Sequence, residues 1–167
     1  MHIRNARTDD FTQILRLNDE SVHFLSPLDH ERLTLLHGQA AYHRVSEDEG
    51  EVVAFLLAFG EGAAYDSPNY RWFAGRFERF LYIDRVVVDR RQQGRGIGQC
   101  FYADLLSFAR ASGARLVTCE FDLDPPNDQS RRFHASFGFR EVGTQFYAAA
   151  GKQVSLQALS IDPVTRA

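Results

Sequence analysis

The chain reads as an α/β (α+β) protein, and three stretches carry that reading. In the first, a β-branched apolar run through Tyr82, Ile83, Val86, Val87 and Val88 breaks at Arg90-Arg91-Gln92-Gln93 and passes glycines at 94, 96 and 98. It resumes with Ile97, Phe101, Leu105 and Phe108 on one helical face, so the order is strand, glycine loop, helix. In the second, Val52-Val53-Ala54-Phe55-Leu56-Leu57-Ala58-Phe59 is almost wholly apolar, as a strand buried on both faces must be. In the third, runs at 140–147 and 152–161 close the chain as a hairpin.

The remaining elements follow in order. Residues 2–6 are a short first strand. Thr8-Asp9-Asp10 supplies the capping side chains for a helix whose apolar face is Phe11, Ile14, Leu15 and Val22. Ser26-Pro27-Leu28 breaks it, and a second helix at 29–39 turns Leu33, Leu36 and Leu35 inward. Strands at 41–46 and 51–59 pair around Glu47-Asp48-Glu49-Gly50. Residues 60–79 read as an irregular stretch with Tyr65, Tyr70, Trp72, Phe73 and Phe77 and a turn at Asp66-Ser67-Pro68-Asn69; a loop of that length inside a compact domain is usually functional or a lid. The strand at 80–88 and its helix end at Gly113. A strand at 115–121 is broken by Asp124-Pro125-Pro126, and Asn127 or Asp128 caps a short helix to Phe137. The order is βααβββαβαββ, without internal repeat or linker, so 1–167 is expected to form one domain.

Composition narrows the function. With 44% hydrophobic residues among 167 the chain can build a full core, and a net charge of −3 gives no strong pull toward nucleic acid or a membrane surface. Lys152 is the sole lysine, and Arg90, Arg91 and Arg95 cluster beside the glycine loop, where a nucleotide phosphate would need them. Cys100 and Cys119 read as buried thiols. The first residues lack an apolar signal core and no run approaches the ~20 residues of a membrane span, so a cytoplasmic protein is expected.

A strand leading through glycines into a helix is an anion cradle. The first backbone N–H groups of the helix have no partner within it, the helix dipole adds partial positive charge, and glycines let a phosphate approach. The spacing G-x-G-x-G is not the dinucleotide fingerprint G-x-G-x-x-G, and no Gly-Lys-Ser/Thr follows, which excludes a Walker A loop.

Gln93-Gly94-Arg95-Gly96-Ile97-Gly98 resembles the Q/R-x-x-G-x-G/A motif of the GNAT superfamily of acyl-CoA-dependent N-acyltransferases. A second block, Asn127-Asp128-Gln129-Ser130-Arg131-Arg132-Phe133-His134-Ala135-Ser136-Phe137-Gly138-Phe139, is similar to the family's N-x-x-A/S-x-x-l-Y/H-x-x-l-G-F block, in the same order and at about the same spacing. The resemblance spans roughly 2–161 and is sharpest over 82–139. It implies a mixed, mostly antiparallel sheet flanked by helices, with a parallel pair at 80–88 and 115–121 that splays to admit the pantetheine arm of acetyl-CoA. By the same resemblance the backbone of Val86 and Val88 pairs with pantetheine amides, and Gln93, Gly94, Arg95, Gly96, Ile97 and Gly98 hold the pyrophosphate. Asn127, Ser130 and His134 share a helical face by their spacing, and the resemblance aims that face at the pantetheine, with His134 as proton donor to the departing thiolate.

An acceptor amine must lose a proton, which a carboxylate can take directly or through water. Asp84 on the central strand and Glu120 on its parallel neighbour are the preferred bases; ion pairing of Asp84 with Arg85 or Arg115 is the structural alternative. His30, His37 and His43 lack the spacing of a compact ligand set, so no metal is expected and a solvated or acceptor-side surface is. No G-x-S-x-G elbow supports a hydrolase. The expected activity is direct transfer of an acetyl group from acetyl-CoA to a small-molecule or peptide primary amine. The rivals are a non-catalytic acyl-CoA binder on the same fold and a protein-interaction module using the aromatic stretch. A homodimer is left open.

Overall fold

The computed structural model describes residues 2–23 and 25–161. Among the described residues seven strands and five α-helices follow in the order β1 (His2–Asn5), α1 (Phe11–Asp19), α2 (His30–Gln39), β2 (Tyr42–Asp48), β3 (Glu51–Gly60), α3 (Pro68–Ala74), β4 (Phe80–Val88), α4 (Ile97–Ala111), β5 (Leu116–Asp124), α5 (Asp128–Phe137), β6 (Arg140–Tyr147) and β7 (Lys152–Ser160). The strand order is β1-β2-β3-β4-β5-β7-β6. The pairs β1–β2, β2–β3, β5–β7 and β6–β7 are antiparallel, and β4–β5 is the parallel pair. The expected mixed, mostly antiparallel sheet with one parallel pair is therefore present. The chain divides into two compact units: residues 1–59 with 83–107, and residues 60–82 with 108–167.

In the first unit β3 is buried from Val52 to Phe59, which is why its sequence shows no polar alternation. Asp10 accepts from the Arg7 backbone N–H at 2.7 Å and takes two bonds from the Arg4 guanidinium at 2.8 Å, fixing the chain where it enters α1. The buried face of α1 is Phe11, Ile14, Leu17 and Asn18. The expectation of Leu15 and Val22 is corrected: Leu15 is half-buried, and Val22 lies past the end of the helix, 41% exposed. Asp29 caps α2 by accepting from the Arg32 N–H at 2.7 Å; Leu33 and Leu36 turn inward, whereas Leu35 is exposed. On α4, Ile97, Phe101, Tyr102 and Leu105 are buried. Asp104 of that helix accepts from the buried Tyr42 hydroxyl and from Arg44, both at 2.6 Å.

In the second unit the stretch read as irregular contains α3. Ser67 caps it by accepting from the Tyr70 N–H at 3.3 Å, and Pro68 occupies its first turn. The register sorts side chains between two faces. Tyr82 pairs with Thr118, Glu120 with Leu156, and Leu156 with Gly143, so these share one face. That face is covered by α3. An added Cβ on Gly143 would lie 2.6 Å from the Trp72 ring, and Gln145 donates to Asn69 at 3.0 Å. The rings of Tyr70 and Phe73 stand 5.6 and 5.8 Å from that of Tyr82. Cys119 and Phe121, opposite Gln157 and Ser155, point to the other face, where the Phe121 ring stacks on His134 of α5.

Candidate functional site

Each unit carries part of the expected machinery. In the first, β4 is followed by the buried Asp89, whose backbone N–H donates to the Val53 carbonyl at 2.8 Å. The Asp89 carboxylate accepts from the Arg91 N–H at 2.9 Å and from the Arg91 side chain at 3.1 and 2.8 Å. The Arg91 guanidinium holds this carboxyl down at about 2, against the penalty of burial. Asp89 is thus a pin that starts the loop, a role the sequence reading did not assign. An Asp two residues before an Arg at the end of an apolar run is the signal that could have suggested it.

Past the pin, Gly94 and Gly96 both have φ of +79°, the left-handed region that an L side chain adopts only at a cost. An added Cβ would meet nothing within 4 Å at either position, so glycine is needed for the backbone path and the space in front of it is open. Gly98 is already inside α4. Ile97 is buried and anchors the helix start, where the Cys100 N–H bonds back to the Gly96 carbonyl at 3.0 Å. Gln93 is exposed and its amide donates to the Val88 carbonyl at 3.3 Å; Val86 and Val88 are half-buried around the buried Val87. The three arginines expected at phosphate each hold a protein acceptor: Arg90 the Glu20 carbonyl at 3.1 Å, Arg91 Asp89, and Arg95 both Gln92 and Asp48, the latter at 3.3 Å.

Asp84 accepts from Arg85 Nε at 2.7 Å. Alternation starts the two side chains on opposite faces, but the long arginine bends back. Arg85 is buried and also donates to Asn18 at 2.9 Å and to the Ser26 carbonyl at 3.3 Å. The structural alternative weighed for Asp84 is the arrangement found. His43 is buried rather than solvated, a correction to the sequence reading. Its Nδ1 lies 2.8 Å from His37 Nδ1, and its ring packs near Phe11 and Phe55. Burial, with the neighbouring His37, pushes its pKa down to about 4. Among the described residues no group of three or more His, Cys, Asp or Glu could hold a metal ion.

In the second unit Glu120 accepts from the Tyr82 hydroxyl at 2.8 Å on the face that α3 covers. Tyr82 is fully buried among Tyr65, Tyr70 and Phe73. Asn127 caps α5, its side chain accepting from the Ser130 N–H at 3.1 Å. One turn on, His134 is buried, and its Nδ1 lies 2.8 Å from the Ser130 carbonyl and 3.1 Å from the Ser130 hydroxyl. A carbonyl only accepts, so Nδ1 carries the proton and Nε2 of the neutral ring is the acceptor. Burial lowers the His134 pKa, the backbone bond opposing it. Phe121 stacks on the ring, and Phe133 and Phe139 meet it edge-on at 5.6 and 5.2 Å. Glu120 and His134 therefore stand on opposite faces of β5. Asn127, Ser130 and His134 are brought together by α5 as their spacing implied.

Cys119 is buried, and burial followed by the charge of Glu120 raises its pKa well above the ordinary thiol value, which keeps it protonated. Cys100 is exposed, contrary to the expectation of a buried thiol. Trp72 packs over Gly143 with the Arg76 guanidinium 4.1 Å above its ring. No helix among the described residues is long and apolar enough to cross a membrane.

The profile of the Acetyltransferase (GNAT) family matches residues 3–139. Phosphinothricin N-acetyltransferase of Streptomyces viridochromogenes is 33% identical over 100 residues, 60% of this chain and 48% of that protein. The chain thus spans about half the length of this curated relative. Among solved structures, Ard1 from Thermoplasma volcanium superposes with a TM-score of 0.79 at 19% identity, covering 96% of this chain and 97% of that one. The yncA protein from Salmonella typhimurium, solved with its cofactor acetyl-CoA, superposes with a TM-score of 0.73 at 20% identity, over 100% of this chain and 97% of that one.

Proposed function

From the premise that this chain belongs to the acetyltransferase (GNAT) family, we propose that it moves an acetyl group from acetyl-CoA to a primary amine by direct attack, as one catalytic domain of the cytoplasm. The observation that carries the reading is the loop with Gly94 and Gly96 both left-handed and open in front, running into the N-terminus of a 15-residue helix. The loop receives the CoA pyrophosphate on the N–H groups of residues 93–98, and Val86 and Val88 offer backbone partners to the pantetheine. Arg95 exchanges its exposed contacts with Asp48 and Gln92 for phosphate, an exchange made easy because such surface pairs are worth little.

Glu120 receives the amine proton as the nitrogen attacks the thioester carbonyl. Asp84 is the weaker candidate, because its carboxylate is committed to the buried Arg85. When the C–S bond breaks, the electron pair leaves on sulfur and His134 supplies the proton through Nε2, since Nδ1 is held by Ser130. A buried neutral ring must first gain that proton, which sets the pH dependence predicted below. A covalent route through Cys119 is disfavoured by its protonated, buried thiol. The curated relatives named for phosphinothricin support a small-molecule amine as acceptor.

Steady-state kinetics with a thiol reporter and a panel of primary amines, phosphinothricin included, test the reading. Amine-dependent thiol release with intersecting double-reciprocal lines is expected. Parallel lines would indicate an acyl-enzyme and overturn direct attack.

A further inference from the structure

We propose that Tyr82 is the residue that positions the Glu120 carboxylate to take the proton of the acceptor amine. The inference rests on the reading of Glu120 as the base and adds to it a residue that no family motif quoted above includes.

Tyr82 and Glu120 come from neighbouring parallel strands; Tyr82 lies opposite Thr118, so its phenol reaches diagonally to the side chain two residues along the same face. The hydroxyl donates to Glu120 Oε1 at 2.8 Å. A glutamate alone has three rotatable bonds, whereas the tyrosine ring is fully buried with Tyr70, Phe73 and Tyr65 at 5.6, 5.8 and 6.4 Å. Tyr70 is itself fixed, donating to the Gly60 carbonyl at 2.8 Å and accepting from the Ala63 N–H at 2.9 Å. The donor is therefore held rigidly and passes that order to the carboxylate.

The chemistry fits the role. A phenol is a far weaker acid than a carboxylic acid, so the pair is O–H···O⁻. A donor to the charged form favours ionisation, and the ionised carboxylate is the form that can receive the amine proton. In that step the N–H bond breaks, an O–H bond forms on Glu120, and the nitrogen lone pair forms the new C–N bond as the C–S bond breaks onto sulfur. The titratable groups near this pair include Cys119 and Asp122 on the strand of Glu120 and Lys152 of β7, which holds Asp122 at 2.7 Å; Tyr65 and Tyr70 stand behind Tyr82, and Asp84, two residues along β4 from Tyr82, is held by Arg85.

The test removes one oxygen. Tyr82→Phe keeps the ring and should move the acid limb of the kcat/KM profile up by about one pH unit while CoA affinity changes less than about twofold. Fluorotyrosine at position 82, a stronger donor, should move the limb the opposite way, which a loss of packing cannot do. A second readout needs no turnover: the carboxyl stretch of ¹³C-glutamate titrated by infrared, with the Glu120 signal assigned by its loss in Glu120→Gln. Its midpoint should rise in Tyr82→Phe. An unmoved midpoint overturns the proposal whether or not any amine is acetylated. A moved midpoint with an unmoved acid limb overturns Glu120 as the base, and so the proposed function's assignment. A midpoint and limb that move together support the positioning role.

Discussion

Replacing Gly96 separates the backbone's need for glycine from a ligand's need for space. The residue has φ of +79°, where an L side chain costs about 1–2 kcal/mol, and an added Cβ meets no atom within 4 Å. Gly96→Ala and Gly96→Glu should therefore lose similar stability. For a chain of 167 residues that is a fall in Tm of about 2–8 °C, read by differential scanning calorimetry. Affinity for CoA should not fall equally. A carboxylate about 5 Å from a phosphate charge, at an effective dielectric of about 20–80, is repelled by about 1–3 kcal/mol, or roughly 5- to 150-fold in Kd beyond the alanine variant. Titration calorimetry with CoA reads that difference, and raising the ionic strength should shrink it. Equal Kd values for the two folded variants would refute the placing of pyrophosphate on this loop.

Three further outcomes follow from the same geometry. His134→Ala should lower kcat by ~10- to 100-fold and spare acetyl-CoA binding, with His134→Tyr restoring part of the loss; because burial lowers the His134 pKa, a donor role requires kcat, once chemistry limits it, to fall as pH rises through a value below the usual 6.5. An unchanged kcat in folded His134→Ala removes the ring from the mechanism. His43 has a folded pKa of about 4 against about 6.5 unfolded, so the unfolded chain binds more protons between those values and stability should fall by about 3 kcal/mol as pH drops from 6.5 to 4; urea melts should show a smaller fall in His43→Leu. Gly143→Ala should destabilise by about 1–3 kcal/mol, because its Cβ would sit 2.6 Å from Trp72; the double variant with Trp72→Ala should be less than additive, and additive melts would show that the two do not pack together.

Much of the fold is legible because its signals are local. The run at β3 is apolar on both faces and could only be a buried strand, and the apolar spacing of α4 and the Asn127 cap of α5 appear where the periodicity put them. The miss at α3 has a physical cause. Seven residues carry too little periodicity to stand out in an aromatic stretch, although Ser67-Pro68 is a cap followed by a first-turn proline. The site is less legible because its partners are distant in sequence. Tyr82 and Glu120 are 38 residues apart, and only the parallel register brings them to 2.8 Å. Alternation separated Asp84 from Arg85 correctly at Cβ and could not foresee the guanidinium returning. His43 sits beside Tyr42 on a strand with both faces covered, so alternation gave no hint that the imidazole is buried.

The most direct test of acetyl transfer is the wild-type chain incubated with acetyl-CoA and single primary amines, with free thiol and N-acetylated amine quantified in the same sample by mass spectrometry. At least one amine should give the two products in equal amounts, and thiol release without amine should be far slower. Tight binding of acetyl-CoA with no acetylated amine from any member of the panel would contradict acetyl transfer.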